Sequence, residues 1–116
     1  DFEIPNKLYL RVAEALAAKD KYENIGLVVG ATQAELIRTV RETAPNLPFL
    51  LPGVGSQGGS AEAAVQGAAA KRPGSVLVNV SRGVLFASSG KDFAEAARTA
   101  ANDFRKTLEK AKRLCV

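Results

Sequence analysis

The stretch Pro48-Phe49-Leu50-Leu51-Pro52-Gly53-Val54-Gly55-Ser56-Gln57-Gly58-Gly59-Ser60 decides the fold. Three apolar residues at 49–51 predict a short buried strand. Pro52 to Gly59 is a glycine-rich loop. Ser60 is placed to cap a helix running to about Lys71, with Ala64, Val65 and Ala68 facing inward. Strand, loop and helix in that order form one βα unit. The same order recurs on both sides. Ile25-Gly26-Leu27-Val28-Val29 is an apolar run that suits a strand buried on both faces, as in a parallel sheet. Gly30-Ala31 turns the chain, and Thr32-Gln33-Ala34-Glu35 has the form of a capping box. The helix it opens carries Leu36, Ile37, Val40 and Ala44 inward and stops before Pro45. Downstream, Arg72-Pro73-Gly74 turns the chain into a third buried strand, Val76-Leu77-Val78-Asn79-Val80.

A helix at 5–19, opened by Pro5, precedes the first strand. Its stripe is Leu8, Val12, Ala15, Leu16 and Ala17. After Ser81-Arg82-Gly83 and a short connection, a long helix at 91–113 closes the chain. Its stripe is Phe93, Ala97, Ala100, Phe104, Leu108 and Ala111. The order α-β-α-β-α-β-α means right-handed crossovers and a parallel sheet. Strand centres near 27, 50 and 78 give units of about 23–28 residues, which suit an eight-unit barrel better than a doubly wound sheet. Three units cannot close a barrel, so the outer strands are expected to expose free edges and one apolar sheet face.

Composition narrows the function. The 116 residues are 47% hydrophobic and 24% charged, which excludes disorder. No apolar run approaches the ~18–20 residues of a membrane span, and the first residues lack the pattern of a signal peptide. A single cysteine, Cys115, excludes an internal disulfide framework and fits a reducing cytoplasm. The absence of histidine removes Ser-His and Cys-His nucleophile pairs and most zinc sites. The net charge of +4 lies largely in the tail from Lys91 to Arg113, on the polar side of one helix. Five Phe and two Tyr do not interleave with a basic run, so the tail reads as a solvated face and not as a nucleic-acid surface. Methionine is absent even at position 1, which suggests a piece of a longer protein.

Ligands of parallel α/β folds bind at the carboxyl ends of the strands. Three loops fall there: 30–32, 52–60 and 81–83. The middle one has four glycines in seven residues, at 53, 55, 58 and 59. Missing Cβ atoms let backbone N–H groups approach an anion, and the following helix adds its positive end. Gln57 offers an amide to a phosphate oxygen or a base edge. Arg82 offers a forked, charge-assisted hydrogen bond. Gly53-x-Gly55-x-x-Gly58 also matches a dinucleotide fingerprint. The carboxylate that fingerprint wants about 20 residues later is missing from Val76 to Val80. A flexible loop with glycines for turn geometry alone is the third reading.

Three segments, Gly26 to Thr32, Pro48 to Gly59 and Asn79 to Val84, together resemble the orotidine 5′-phosphate decarboxylase family, in particular its longer bacterial subgroup. The PGxGxQGG loop followed by SRG is the most specific part. The resemblance implies a (β/α)8 TIM barrel acting as a homodimer in the cytoplasm. It implies conversion of orotidine 5′-monophosphate to UMP without metal or cofactor, with no nucleic-acid or membrane partner. By the same resemblance, Gln57, Gly58, Gly59, Ser81 and Arg82 bind the nucleotide and its phosphate. Pro52, Gly53 and Val54 line the pocket.

One departure stands out. The family's D-x-K-x-x-D motif, whose lysine protonates the carbanion left at C6, has no counterpart here. The aspartates are Asp1, Asp20, Asp92 and Asp103, none of them at a strand's carboxyl end. The expectation is therefore that residues 1–116 are the C-terminal portion of one barrel domain. That portion is the last three βα units with the helix before them. No catalytic residue is expected in this chain, and the missing N-terminal half is its partner. The alternatives are a non-catalytic phosphate-binding module or complementing half-barrel, and a Rossmann-type domain.

Overall fold

The computed structural model describes residues 7–53, 60–69 and 75–114. Pro5, Lys71, the turn at 72–74 and Cys115 lie outside the described residues. Helix α1 (Leu8–Lys19) leads to strand β1 (Leu27–Val28), α2 (Ala34–Thr43), β2 (Phe49–Leu51), α3 (Ala61–Ala68) and β3 (Val76–Val78). A one-turn helix α4 (Arg82–Leu85) and the long α5 (Phe93–Arg113) complete the order. The sheet order is β1-β2-β3, both pairs are parallel, and the alternation of strands with helices is as expected.

The core lies between the helices and one face of the sheet. Phe49 and Leu51 of β2 are fully buried there, with Ile37, Val40, Ala44, Leu47, Ala64 and Ala68. Burial of apolar surface on this scale is the main favourable term of folding. At Gly67 the helices α2 and α3 approach closely: a Cβ there would sit 3.0 Å from the Ala34 carbonyl oxygen. The turn into β1 is held by Asp20, whose Oδ1 accepts the Asn24 and Ile25 N–H groups at 2.9 and 3.1 Å.

The strands are not buried on both faces. Val28 pairs with Leu50, and Leu50 with Leu77. These three form one cross-strand row on the face away from the helices, and they are 71%, 38% and 60% exposed. In a closed barrel the inward side chains fill the interior in layers. Three strands bring only part of such a layer together, so the row stays open, as the count of units predicts.

Other sequence expectations shift. In α1 the buried position is Ala13, while Leu8 and Val12 are exposed. Their side of the helix faces no further strand among the described residues. Thr32 does not cap α2. The N-cap is Gln33, without a side-chain bond, and Glu35 instead lies 3.8 Å from Arg38 in an exposed pair. Ser60 does cap α3: its Oγ accepts the Ala63 N–H at 3.3 Å. The stripe of α5 is partly or fully buried from Ala97 to Ala111, while Phe93 is exposed.

Candidate functional site

The parallel register carries the carboxyl ends of all three strands to one rim. The Ala31 N–H donates to the Pro52 carbonyl at 3.2 Å, and the Asn79 N–H to the Leu51 carbonyl at 3.1 Å. These two bonds extend the ladder past the strand ends, so the segments after β1, β2 and β3 leave the sheet side by side. Pro52 and Gly53 therefore stand between Gly30-Ala31 and Asn79-Val80. Gly53 has φ 85°, a left-handed conformation that a Cβ disfavours. Gly53 is thus the turning point that directs the chain off β2 into the loop. Val54, Gln57, Gly58 and Gly59 lie outside the described residues, so the glycine loop enters the site here only through Pro52 and Gly53.

The chain from β3 turns directly into α4. The Ser81 carbonyl accepts the Val84 and Leu85 N–H groups at 3.1 and 2.9 Å, and the Arg82 carbonyl accepts the Phe86 N–H at 3.0 Å. The amides of Arg82 and Gly83 fall in the first turn, where helix geometry offers no internal acceptor. The Ser81 hydroxyl accepts a long 3.5 Å contact from the Asn79 amide and stays exposed. The Arg82 side chain is exposed, and its guanidinium has no hydrogen bond or ion pair among the described residues. The rim thus holds a guanidinium with no counter-charge among the described residues, two first-turn amides and a hydroxyl beside the Pro52-Gly53 turn. That set is suited to a dianionic oxygen cluster. The sequence expected only a short connection here. One helical turn is too short for periodicity to reveal.

A concave feature lies to one side of these groups. A groove of about 720 Å³ runs between α1, α2 and β1, lined by Leu8, Tyr9, Val12, Leu27, Val28 and Leu36 among others. It touches none of Pro52, Gly53, Ser81 or Arg82. The basic face of α5 is solvated: Arg98, Lys106, Lys110, Lys112 and Arg113 are exposed. Arg105 pairs with Glu109, at 2.9 Å on the same exposed face. No helix among the described residues is long and apolar enough to cross a membrane.

One residue of structural weight escaped the sequence reading. Arg41 is 7% exposed at the opposite, amino-terminal rim of the sheet. Its Nε donates to the Ala68 carbonyl at 2.7 Å, and its Nη1 to those of Leu47 and Ala44 at 2.6 and 3.1 Å. Nη2 donates to the Ser75 carbonyl at 3.1 Å. Burial lowers its pKa from the ordinary guanidinium value to about 10, which leaves it charged at neutral pH. The signal was present: Arg41 falls on the inward spacing set by Ile37, Val40 and Ala44.

A parallel sheet of three βα units, with its polar groups gathered at the carboxyl ends of the strands, is a partial (β/α) barrel. The family model described as orotidine 5′-phosphate decarboxylase / HUMPS family matches residues 4–100, and the chain belongs to that family. It is 58% identical over 87 residues to an orotidine 5′-phosphate decarboxylase of Delftia acidovorans, covering 75% of this chain and 31% of the relative. It is 48% identical over 109 residues to the enzyme of that name from Roseiflexus castenholzii, covering 91% of this chain and 39% of the relative. Among solved structures, an OMP decarboxylase of Leishmania donovani superposes with a TM-score of 0.67 at 32% identity, covering 87% of this chain and 38% of that one. The UMP synthase of the same organism gives 0.66 at 38% identity, over 87% and 22%. The chain spans between 31% and 40% of the length of the curated relatives it matches.

Proposed function

We propose that this chain is the C-terminal portion, the last three βα units, of a barrel enzyme that decarboxylates orotidine 5′-monophosphate to UMP. Its part in that reaction is to hold the nucleotide's 5′-phosphate. The observation that carries the reading is the exposed Arg82 guanidinium, without a partner among the described residues at the start of α4, one strand away from the left-handed turn at Gly53. Family membership supplies the substrate class.

In this reading Arg82 donates a forked pair of hydrogen bonds to phosphate oxygens. The amides of Ser81 and Arg82 add neutral donors. Gln57, Gly58 and Gly59 close the cradle from the adjacent loop, and Pro52, Gly53 and Val54 line the pocket toward the sugar and base. The chemistry belongs to the remainder of the barrel. There the C6–carboxylate bond breaks, CO2 leaves, and the electron pair left on C6 takes a proton from a lysine flanked by aspartates. No metal or cofactor is needed, because the lysine supplies both the charge and the proton. The phosphate is remote from that bond, so its binding energy positions the ring over the lysine. The working enzyme is a cytoplasmic homodimer in this reading.

The test is CO2 release from orotidine 5′-monophosphate. This chain alone should give none. The same chain joined to the upstream five units of a family relative should give turnover. Turnover by the 116 residues alone, or none in the joined protein once it is folded and binds UMP, contradicts the reading.

A further inference from the structure

Side chains alternate between the two faces of a sheet. Ala31 and Leu51 are buried on the helix side, and Val29 and Val78 pack against the same core. Gly30, Pro52 and Asn79 therefore continue the opposite, open face that Val28, Leu50 and Leu77 begin. The Ala31 N–H bond to Pro52 and the Asn79 N–H bond to Leu51 keep these three positions level. Val80 shows that the alternation persists past the end of β3. A Cβ on Gly83 would lie 3.4 Å from Val80 Cγ1 and from the Phe104 ring, so Val80 faces α4 and α5.

This upper row differs in chemistry from the apolar row beneath it. Gly30 has no side chain, and a Cβ there would meet none of the described residues within 4 Å beyond its chain neighbours. Pro52 offers only its ring. Asn79 alone of the three carries hydrogen-bonding side-chain atoms, and it is exposed. Its Nδ2 donates to the Ser81 hydroxyl at 3.5 Å, and its Oδ1 has no donor among the described residues. Ser81 and Arg82 open α4, so the carboxamide stands one step down the strand from the phosphate-binding groups. A ligand held at Arg82 by a terminal phosphate lays its next groups over this row, where the missing side chain of Gly30 leaves space. A carboxamide covered in that way loses water and needs a new partner.

We propose that Asn79 is a nucleoside-binding residue. Its carboxamide oxygen accepts a hydrogen bond from a donor on the sugar–base portion of the ligand, a ribose hydroxyl or the pyrimidine ring N–H, while its amide stays with Ser81. The ligand rests on the reading under Proposed function; the assignment of this side chain goes beyond it. Arg82 binds any phosphate monoester of equal charge. Asn79 separates a nucleotide from the phosphate group alone, because only the nucleotide brings a donor to the open face.

Asn79→Leu keeps the shape of the side chain and removes both polar atoms; Asn79→Ala removes the whole group. Each is made in the intact enzyme, this chain joined to the upstream five units of a family relative. Each is titrated with UMP, uridine, ribose 5-phosphate and inorganic phosphate. UMP and uridine should both bind about 3- to 10-fold more weakly, the range of one neutral hydrogen bond, and inorganic phosphate should bind as before. Ribose 5-phosphate tells the two donors apart, and either result upholds the proposal. It weakens with UMP if a sugar hydroxyl is the donor, and it is unchanged if the ring N–H is. Equal loss for inorganic phosphate and UMP makes Asn79 a support for Ser81 at the phosphate site and overturns the proposal. Unchanged affinity for UMP and uridine also overturns it. If Asn79→Leu lowers the urea midpoint, Asn79→Ala alone decides. A joined protein that is folded but binds no UMP contradicts both readings. The expected binding pattern without release of CO2 from orotidine 5′-monophosphate upholds Asn79 and counts against the functional reading instead.

Discussion

The guanidinium of Arg41 lies 3.6 Å over the centroid of the Phe49 ring. A cation on an aromatic face is attracted by the ring quadrupole, more so when both are desolvated. Phe49 is fully buried. Among the described residues no carboxylate neutralises Arg41; five strand-end and helix-end carbonyls hold it, at distances from 2.6 to 3.4 Å. Those carbonyls belong to the end of α2, the approach to β2, the end of α3 and the approach to β3. One side chain therefore ties two successive helix-to-strand connections together at the rim opposite Arg82.

Arg41→Met keeps much of the apolar stem and removes every donor. Several buried carbonyls lose their partner, so the loss should be on the order of 3 kcal/mol in a urea titration of the intact protein. Arg41→Lys should recover only part of it, because an ammonium cannot span Ala68 and Ser75 together. The loss should not depend on pH between 6 and 9. The folded pKa of about 10 is below the ordinary guanidinium value, so the cost of the buried charge is present throughout that range. It lifts only as pH rises above about 10, where the unfolded state binds more protons than the folded one. An Arg41→Met penalty that changed between pH 6 and 9 would contradict this.

Gly67→Ala should destabilise, although alanine is the better helix former by about 1 kcal/mol. The new Cβ would meet the Ala34 carbonyl oxygen at 3.0 Å, and backbone of α2 has little room to yield. Overpacking of this kind costs about 1–3 kcal/mol, so the net change should be a loss of about 1 kcal/mol, read from the denaturation midpoint.

Much of this was legible in the sequence, and the exceptions have physical causes. The runs at 27, 50 and 77 gave the strands because continuous apolar residues flanked by turn residues leave few other readings. Ser60 was legible as a cap because its helix begins at the next residue. Thr32 was not a cap, because its helix begins two residues later, at Ala34. Arg41 is not legible from apolar periodicity, because its burial depends on carbonyls from four separate segments, which no local pattern reports. The rim position of Arg82 was legible because its segment follows the third strand directly. The turn of helix it opens was too short to see.

The two candidate caps make a matched test. Ser60→Ala should cost about 0.5–1 kcal/mol, since the Ala63 N–H loses its acceptor. Thr32→Ala should change stability by less than about 0.5 kcal/mol, as an exposed surface substitution. Equal effects of the two would contradict the assignment of Gln33 as the N-cap of α2.

Gly53→Ala should act on both stability and binding. A left-handed φ costs a residue with a Cβ about 1–2 kcal/mol, and the strain falls where the glycine loop leaves β2. UMP affinity in the intact enzyme should fall along with the urea midpoint. A variant with native stability and affinity would show that the turn tolerates a side chain.

The central claim is that Arg82 grips phosphate, and UMP binding by the intact enzyme tests it most directly. Calorimetric titration of Arg82→Ala should show affinity reduced by about 1.5–3 kcal/mol, or roughly 10- to 150-fold. Affinity for uridine, which lacks the phosphate, should be unchanged. Equal loss for uridine and UMP, or no loss for either, would contradict the claim.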